Sequence, residues 1–276
     1  MDTSKKVVCG KISGSIENFR EKLEKKFPPG GLWEDTIFFG LYRPSDYARF
    51  LFHRGRKAVF WCGADITRLG SLRARLVRGY KNYCENEVEA IILRGLGISP
   101  TVHPMIFDDE NNFAEDFVPS RTPHVFMNVH PGRKEEYGLD IIEEIALYLP
   151  EVTFHIYGAK RGFHEMWFDA TGIHNINYVG HKNIVYHGYV PGWQFDSEIR
   201  NYQASIRLNK IDGASEVMTK SLLLGQYPIT AISYPHVDIC RNHNELIQLL
   251  RQLKHKKISN PWSEWWRKKL QEPLTT

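Results

Sequence analysis

Short apolar segments alternate with amphipathic helical segments along almost the whole chain. The strand candidates include residues 6–12, 36–42, 58–62, 101–106, 124–129, 152–157, 184–187, 204–209 and 227–232. The helix candidates between and after them include residues 15–27, 46–53, 87–96, 138–149 and 243–253. Strands that alternate with helices favour parallel sheets with helical crossovers. The sequence therefore predicts an α/β fold with two Rossmann-like parallel-sheet domains that face a cleft, the N-terminal one being short.

The predicted boundary between the two domains is an acidic, proline-containing segment. Residues 108–122 read DDENNFAEDFVPSRT, and we interpret them as a linker. This divides the chain into a domain at 1–118, a domain at 119–256 and a terminal segment at 257–276. Domain interfaces are favoured places for ligands, so a ligand site is expected between the two domains.

Composition narrows the class of protein. The chain has 276 residues and a formal net charge of +4, which fits a protein that meets anionic nucleotides or membrane surfaces. Its basic residues are interspersed with acidic ones and no RNA-binding motif is present, so we expect no nucleic-acid partner. The four cysteines are widely spaced and form no CxxC pair. This predicts reduced thiols, no zinc site and a cytoplasmic location.

Four loops at predicted strand ends carry residues that could bind a ligand. They are Gly63-Ala64-Asp65, the segment 130–134 (HPGRK), Gly158-Ala159-Lys160 and Asp212-Gly213-Ala214-Ser215. Arginine and lysine can hold phosphates, and glycine lets a ligand approach the backbone. Each loop taken singly is also typical of a solvated turn or a helix cap. Their order along the chain is more informative than any one of them.

The segment 211–230, IDGASEVMTKSLLLGQYPIT, is the most specific of these regions. Asp212-Gly213 is a turn signal, residues 217–224 suit a helix, and Gly225 stands where a C-cap glycine would end it. A loop that leads into a helix N-terminus at the end of a strand favours an anion. The alternative is a plain βαβ connection that binds nothing.

Four stretches together resemble the nucleotide-sugar-binding domain of family 4 glycosyltransferases with the GT-B fold, over roughly residues 124–250. They read VFMNVHPGRKEEYGLDIIEEIA, VTFHIYGAK, NIVYHGYVPGWQFDSEIRNY and SIRLNKIDGASEVMTKSLLLGQYPI. Upstream, VFWCGADITRL is similar to a turn in the acceptor-side domain of that family. The last helix, WSEWWRKKL, resembles the GT-B helix that crosses back to the first domain.

The resemblance implies a role for each matching position. Donor-binding residues would be Gly132, Arg133, Lys134, Gly158, Val190, Gly213, Ala214, Ser215 and Lys220, and the catalytic pair would be Asp212 and Asp65. In this scheme Arg133 and Lys134 hold the diphosphate, together with the N–H groups of Ala214 and Ser215. Asp212 holds the donor sugar, and Asp65 faces the acceptor.

The implied activity is that of a hexosyltransferase-like enzyme. It would move a sugar from a nucleotide-sugar donor to an unidentified glycan, lipid or protein acceptor, with retention of anomeric configuration and with no metal or other cofactor. The tyrosine, tryptophan and basic residues of the last helix could also contact an anionic membrane surface. Packing of that helix across the domains is the alternative.

Two departures from the family pattern bear on activity. Lys220 stands where the family has a glutamate that holds the ribose, and a lysine cannot accept hydrogen bonds from hydroxyls. We expect it to contact a phosphate or to point away. Tyr137 stands where the family has a lysine, so Arg133 or Lys134 would have to supply that charge. A degenerate GT-B protein that binds a nucleotide or glycan without catalysis is therefore the second interpretation.

Overall fold

The structure, a computed structural model, describes residues 6–9, 22–24, 26–63, 65–130, 132–158, 181–210, 213 and 216–276. The chain divides into two compact units. The first comprises Met1–Phe113, Ile211–Thr219 and Glu264–Thr276, and the second comprises Ala114–Lys210 and Lys220–Ser263. Both units are discontinuous in sequence, because residues 211–219 and 264–276 belong to the first unit although they follow segments of the second. The domain limits expected from the sequence remain a prediction.

The first unit contains a five-stranded parallel sheet in the order β1-β2-β3-β4-β5. Its strands are β1 Lys6–Cys9, β2 Thr36–Phe39, β3 Lys57–Phe60, β4 Lys81–Cys84 and β5 Pro100–Val102. The helices between them are α1 Pro44–Phe52, α2 Ser71–Val77 and α3 Glu87–Gly95. The predicted helix at 15–27 lies mostly outside the described residues.

The central strands of this sheet are covered on both faces, which explains their continuous apolar sequence. Ala58, Val59 and Phe60 of β3 are each fully buried. Val59 belongs to the cluster formed with α1, α2 and α3, whereas Ala58 and Phe60 belong to the cluster on the opposite face. A parallel strand buried on both faces is expected to be apolar throughout.

The C-terminal segment of the chain completes the first unit. Helix α8, Ser263–Gln271, begins at the boundary, and its Trp266 and Leu270 are buried. Beyond the helix, Leu274 joins the apolar cluster of β1, β2 and β3. The start of the predicted linker is also packed here, since Glu110 and Phe113 are buried and the Arg267 guanidinium donates to their carbonyl oxygens at 3.2 and 2.8 Å.

The second unit contains a six-stranded parallel sheet in the order β11-β10-β9-β6-β7-β8. Its strands are β6 His124–Asn128, β7 Thr153–Tyr157, β8 Ile184–Gly188, β9 Ala204–Arg207, β10 Ile229–Thr230 and β11 Asp238–Ile239. Its helices are α4 Leu139–Ile145, α5 Gly192–Glu198, α6 Glu216–Leu223 and α7 His243–Gln252. Helix α6 begins in the first unit and continues into the second.

The two faces of the second sheet differ in chemistry. One face is apolar: Val125, Met127, Phe154 and Ile156 pack with residues of α4 and α7. The other face carries polar and aromatic side chains, among them His124, His155 and Tyr157. Because side chains alternate along a strand, this difference follows directly from the sequence HVFMN in β6 and TFHIY in β7.

The predicted α/β class with parallel sheets is confirmed in both units. Within the described part of the chain, no helix has the length and apolar character needed to span a membrane.

Candidate functional site

The strand order of the second unit identifies a ligand-binding edge. From β6 the chain proceeds through β7 to β8 in one direction, and from β9 it proceeds through β10 to β11 in the other. The direction therefore reverses between the neighbouring strands β6 and β9. In open parallel sheets, ligands bind outside the carboxyl ends of the strands at such a reversal. The ends of β6 and β9, at Asn128 and Arg207, are where a ligand is expected.

Gly158 follows β7 and lies close to Val129, which follows β6. Its φ of +81° lies in the region that favours glycine, and a Cβ there would collide with the carbonyl oxygen of Val129. Its N–H donates to the Gly188 carbonyl oxygen at 2.7 Å, which joins the ends of β7 and β8. A side chain at 158 would thus separate the strand ends that form the edge.

Arg207 is the cation that lies at the reversal itself. Its Nη1 donates to the carbonyl oxygen of Asn128 at 3.3 Å, so it connects the ends of β9 and β6. Its guanidinium carbon lies 4.2 Å from the centroid of the Tyr137 ring. A guanidinium stacked on an aromatic face is attracted to it and loses rotational freedom. Tyr137 therefore supports the cation at the end of β9.

The predicted phosphate ligands in the loop after β6 have carboxylate partners. Arg133 pairs with Glu136 at 2.8 Å, and both side chains are about half exposed. Lys134 pairs with Glu143 of α4 at 2.6 Å, and the same carboxylate accepts from the Tyr186 hydroxyl at 2.5 Å. Gly132 donates to the His130 ring at 3.2 Å. Arg133 is thus accessible to a ligand, whereas Lys134 is anchored to α4.

Lys220 is buried and paired with a carboxylate of the neighbouring helix. Its Nζ lies 2.7 Å from Oδ1 of Asp196 in α5, and the exposed fractions of the two side chains are 5% and 30%. A buried ammonium requires such a partner, because burial without one is strongly unfavourable. Lys220 is therefore held by Asp196 within the second unit, and its role towards a donor remains a prediction.

The remaining predicted residues fall into two groups. Asp212, Ala214 and Ser215 lie outside the described residues. Gly213, in the first unit, is half-buried, and a Cβ there would collide with the Glu85 carboxylate. Val190 lies in the turn between β8 and α5 and is partly exposed.

Asp65 lies in the first unit and its carboxylate is surrounded by backbone N–H groups. Oδ1 accepts from Cys62 at 3.0 Å and from Ile66 at 3.0 Å, and Oδ2 accepts from Leu41 at 3.3 Å. The residue is fully buried. Burial raises the pKa of Asp65 to about 7, against the opposing effect of these hydrogen bonds. The contacts explain Asp65 as a residue that joins the ends of β2 and β3, and its role towards an acceptor remains a prediction.

Sequence reasoning missed three residues that the fold brings to these places. Arg207 lies at the ends of β6 and β9, Asp196 pairs with Lys220, and Glu85 lies beside Gly213 in the first unit. A strand that ends in arginine was the available signal for Arg207. For Asp196 the signal was an acidic residue on the helix after the HGYV segment. In the described part of the chain, no group of three or more His, Cys, Asp or Glu side chains could hold a metal ion.

Comparison with known proteins shows which solved structures share this architecture. No protein-family model matches the chain, and no curated protein matches it by sequence. Solved structures do match. The chain is similar to HepE of Anabaena in complex with UDP, with a TM-score of 0.65, 10% identity, and coverage of 96% of this chain and 95% of HepE.

Two further structures extend the comparison. The lipopolysaccharide outer core galactosyltransferase WaaB matches with a TM-score of 0.56 and 11% identity, over 94% of this chain and 78% of WaaB. TarM matches with a TM-score of 0.58 and 11% identity over 86% of this chain, which spans only about half of TarM, 51%. These are glycosyltransferases of the GT-B type. At this identity the likeness concerns the fold: the chain has the α/β architecture of GT-B glycosyltransferases.

Proposed function

We propose that the protein is a glycosyltransferase that moves a sugar from a nucleotide-sugar donor to an acceptor, with retention of configuration and without a metal ion. The observation that carries the proposal is the cation at the reversal of strand direction, where Arg207 joins the ends of β9 and β6. Ligands of parallel sheets bind there, and a guanidinium suits a diphosphate because its N–H groups form a planar fork.

The chemistry of sugar transfer explains why such a cation is useful. In the transition state the sugar ring gains positive charge while negative charge develops on the departing diphosphate. Cations aimed at the diphosphate stabilise that charge without having to reorganise. Arg207 and the accessible Arg133 supply it in this proposal, together with the predicted N–H groups of Ala214 and Ser215. Asp212 is proposed to hold the hydroxyls of the donor sugar.

Asp196 is proposed to take over recognition of the ribose. Its Oδ1 is held by Lys220, and the described residues show no partner for Oδ2. A carboxylate oxygen only accepts hydrogen bonds, so it selects a ligand that donates them, such as a sugar diol. The neutral sum of the Lys220–Asp196 pair makes it a poor partner for a phosphate. This assigns the pair to hydroxyl recognition and Arg207 to the anion.

The first experiment is calorimetric titration of the whole protein with UDP, GDP, ADP and the matching nucleosides. UDP is the first choice because HepE was solved in complex with it. Arg207→Gln should weaken nucleoside diphosphate binding about 10- to 100-fold, the loss of a charged hydrogen bond of about 1.5–3 kcal/mol, and leave nucleoside binding unchanged. Arg251→Gln is the matched control, since Arg251 lies at the exposed end of α7 with Glu151.

The outcomes separate the candidate functions. Binding of one nucleotide, with release of sugar from its conjugate in the presence of EDTA, supports a metal-independent transferase. Binding without turnover of any sugar conjugate favours the second candidate, a GT-B protein that binds nucleotide without catalysis, for which the replacement at Lys220 is the specific observation. If no nucleotide binds, or Arg207→Gln and Arg251→Gln behave alike, the donor site is misassigned.

A further inference from the structure

Three histidines on neighbouring strands of the second unit form a continuous series of hydrogen bonds. Nδ1 of His124 in β6 lies 3.0 Å from Nε2 of His155 in β7. Nδ1 of His155 lies 2.9 Å from Nε2 of His187 in β8. Nδ1 of His187 lies 3.5 Å from Oε2 of Glu198 in α5. We call His124, His155 and His187 the histidine ladder.

The nitrogens that face each other between neighbouring rings are 3.0 and 2.9 Å apart. One shared proton fits that spacing as an N–H···N hydrogen bond. The ladder is thus held together by protons, one in each gap between two rings.

The far end of the ladder meets helix α5 at Glu198. Oε2 of Glu198 also accepts from the Tyr157 hydroxyl at 2.6 Å, and Oε1 accepts from Gln194 at 2.7 Å. Phe195 of α5 packs on Phe126 and Tyr157. Asp196 of the same helix pairs with Lys220 at 2.7 Å, and Ile199 at its C-terminal end is fully buried. The contacts of Glu198 add to these.

Counting protons shows how much charge the ladder can accept. Three neutral imidazoles carry three N–H protons, and the ladder has four positions: one in each of the two gaps, one on Nε2 of His124 and one on Nδ1 of His187. One added proton fills the fourth position, and the Glu198 carboxylate is there to balance its charge. A second added proton would place two N–H groups against each other in one gap and break it.

We infer that the histidine ladder is an acid-sensitive element of the second unit, which accepts one proton intact and loses one of its two inter-ring hydrogen bonds when a second proton enters.

The surroundings of the middle ring support this behaviour. His155 is flanked by His124 and His187, stacks on the Tyr202 ring at 4.4 Å, and faces Glu198 as the nearest anion. Burial, followed by repulsion from the two other rings, lowers the pKa of His155 to about 4. The Tyr157 and Tyr202 hydroxyls are the other titratable groups that face the ladder, and burial raises the pKa of both. They stay neutral in the acid range, so the histidines and Glu198 decide the response.

The sign of the pH dependence follows from the proton count. In the unfolded chain each histidine titrates near 6.5, so three protons bind below that pH, whereas the folded ladder accepts one. The unfolded state then binds about two more protons, and stability falls as the pH drops from about 6.5 towards 4. The slope of log Kunf against pH measures this difference directly.

The test is the pH dependence of urea unfolding of the whole protein, between pH 7.5 and 4.5, in histidine variants. In the wild type the ladder should contribute about two protons to the slope of log Kunf against pH. In His124→Asn it should contribute about one, because the remaining pair of rings can accept one proton. In His155→Asn it should contribute about none, because the two separated rings titrate freely. His243→Asn, an exposed histidine of α7, is the control and should keep the wild-type slope.

Equal slopes in the wild type and His155→Asn would overturn the inference. Should His155→Asn not fold, the slope of His124→Asn decides: a value equal to that of the wild type refutes the ladder count.

Discussion

At the scale of single residues, Lys220 shows how a buried cation is satisfied by a carboxylate from a neighbouring helix. The buried ammonium is satisfied by Asp196 at 2.7 Å. A buried pair of this kind is destabilised strongly when only one partner is removed. Lys220 and Asp196 should therefore be considered as a pair, because each supplies the opposite charge beside the other.

Asp196→Asn should reduce the preference of the protein for UDP over 2′-deoxy-UDP. The reason is that a charged hydrogen bond to a hydroxyl, of about 1.5–3 kcal/mol, becomes a weaker neutral one. We expect the ratio of the two dissociation constants to fall about tenfold or more in calorimetric titrations. The ratio is the diagnostic quantity, because loss of the anion beside Lys220 also lowers the stability of the protein.

Asp140→Asn is the matched control, since Asp140 lies on the exposed side of α4. It should leave the ratio unchanged. An unchanged ratio in Asp196→Asn as well, with UDP still bound, would remove Asp196 from ribose recognition while leaving the nucleotide site in place.

At the scale of secondary-structure elements, two helices begin with an asparagine cap of the same geometry. Asn86 Oδ1 accepts from the Glu89 N–H at 3.0 Å at the start of α3, and Asn242 Oδ1 accepts from the Glu245 N–H at 2.9 Å at the start of α7. Asn86 is fully buried, whereas Asn242 is exposed. The comparison separates the capping hydrogen bond from the effect of burial.

Asn242→Ala should lower the free energy of unfolding by about 1 kcal/mol, the usual loss of an asparagine cap. Asn86→Ala should cost about 1–3 kcal/mol more, because the buried N–H of Glu89 cannot turn to water instead. Urea unfolding of both variants measures the difference. Equal losses in the two variants would show that the Asn86 cap gains nothing from its burial.

At the scale of the whole molecule, the last thirteen residues belong to the unit that contains the first strand. Glu264–Thr276 is part of the first unit. The Tyr83 hydroxyl of β4 accepts from the Thr275 N–H at 2.8 Å and donates to its carbonyl oxygen at 3.0 Å. His103, after β5, contacts the Glu272 carbonyl oxygen at 3.1 Å through Nε2.

Removal of residues 264–276 should therefore strongly destabilise the first unit. Trp266, Leu270 and Leu274 are nearly fully buried, and loss of large buried side chains costs about 2–5 kcal/mol each. We expect a markedly lower urea concentration at the midpoint of unfolding of this unit, whose core includes Trp61. As a matched control, removal of Thr276 alone should leave the midpoint unchanged. A truncated chain with the wild-type midpoint would show that this packing contributes little.

The sequence alone determined the fold class and the edge of the sheet at which to look for a ligand. Apolar alternation such as KAVF, HVFMN and TFHIY specifies strands and their inward faces, because the two-residue period is a local property. The sequence also indicated that a strand ends at Gly158 and a helix at Gly225, because glycine is the residue that most readily adopts the positive φ found at both positions.

Only the tertiary structure decided which side chains act together. Arg207 meets Tyr137, Lys220 meets Asp196, and three histidines from three strands meet in one series. These partners are far apart in sequence, and β9 lies beside β6 rather than beside β8. Strand order depends on how crossovers pack against the whole sheet, which no local pattern encodes. The chemistry of the site therefore arises from neighbours that the fold selects.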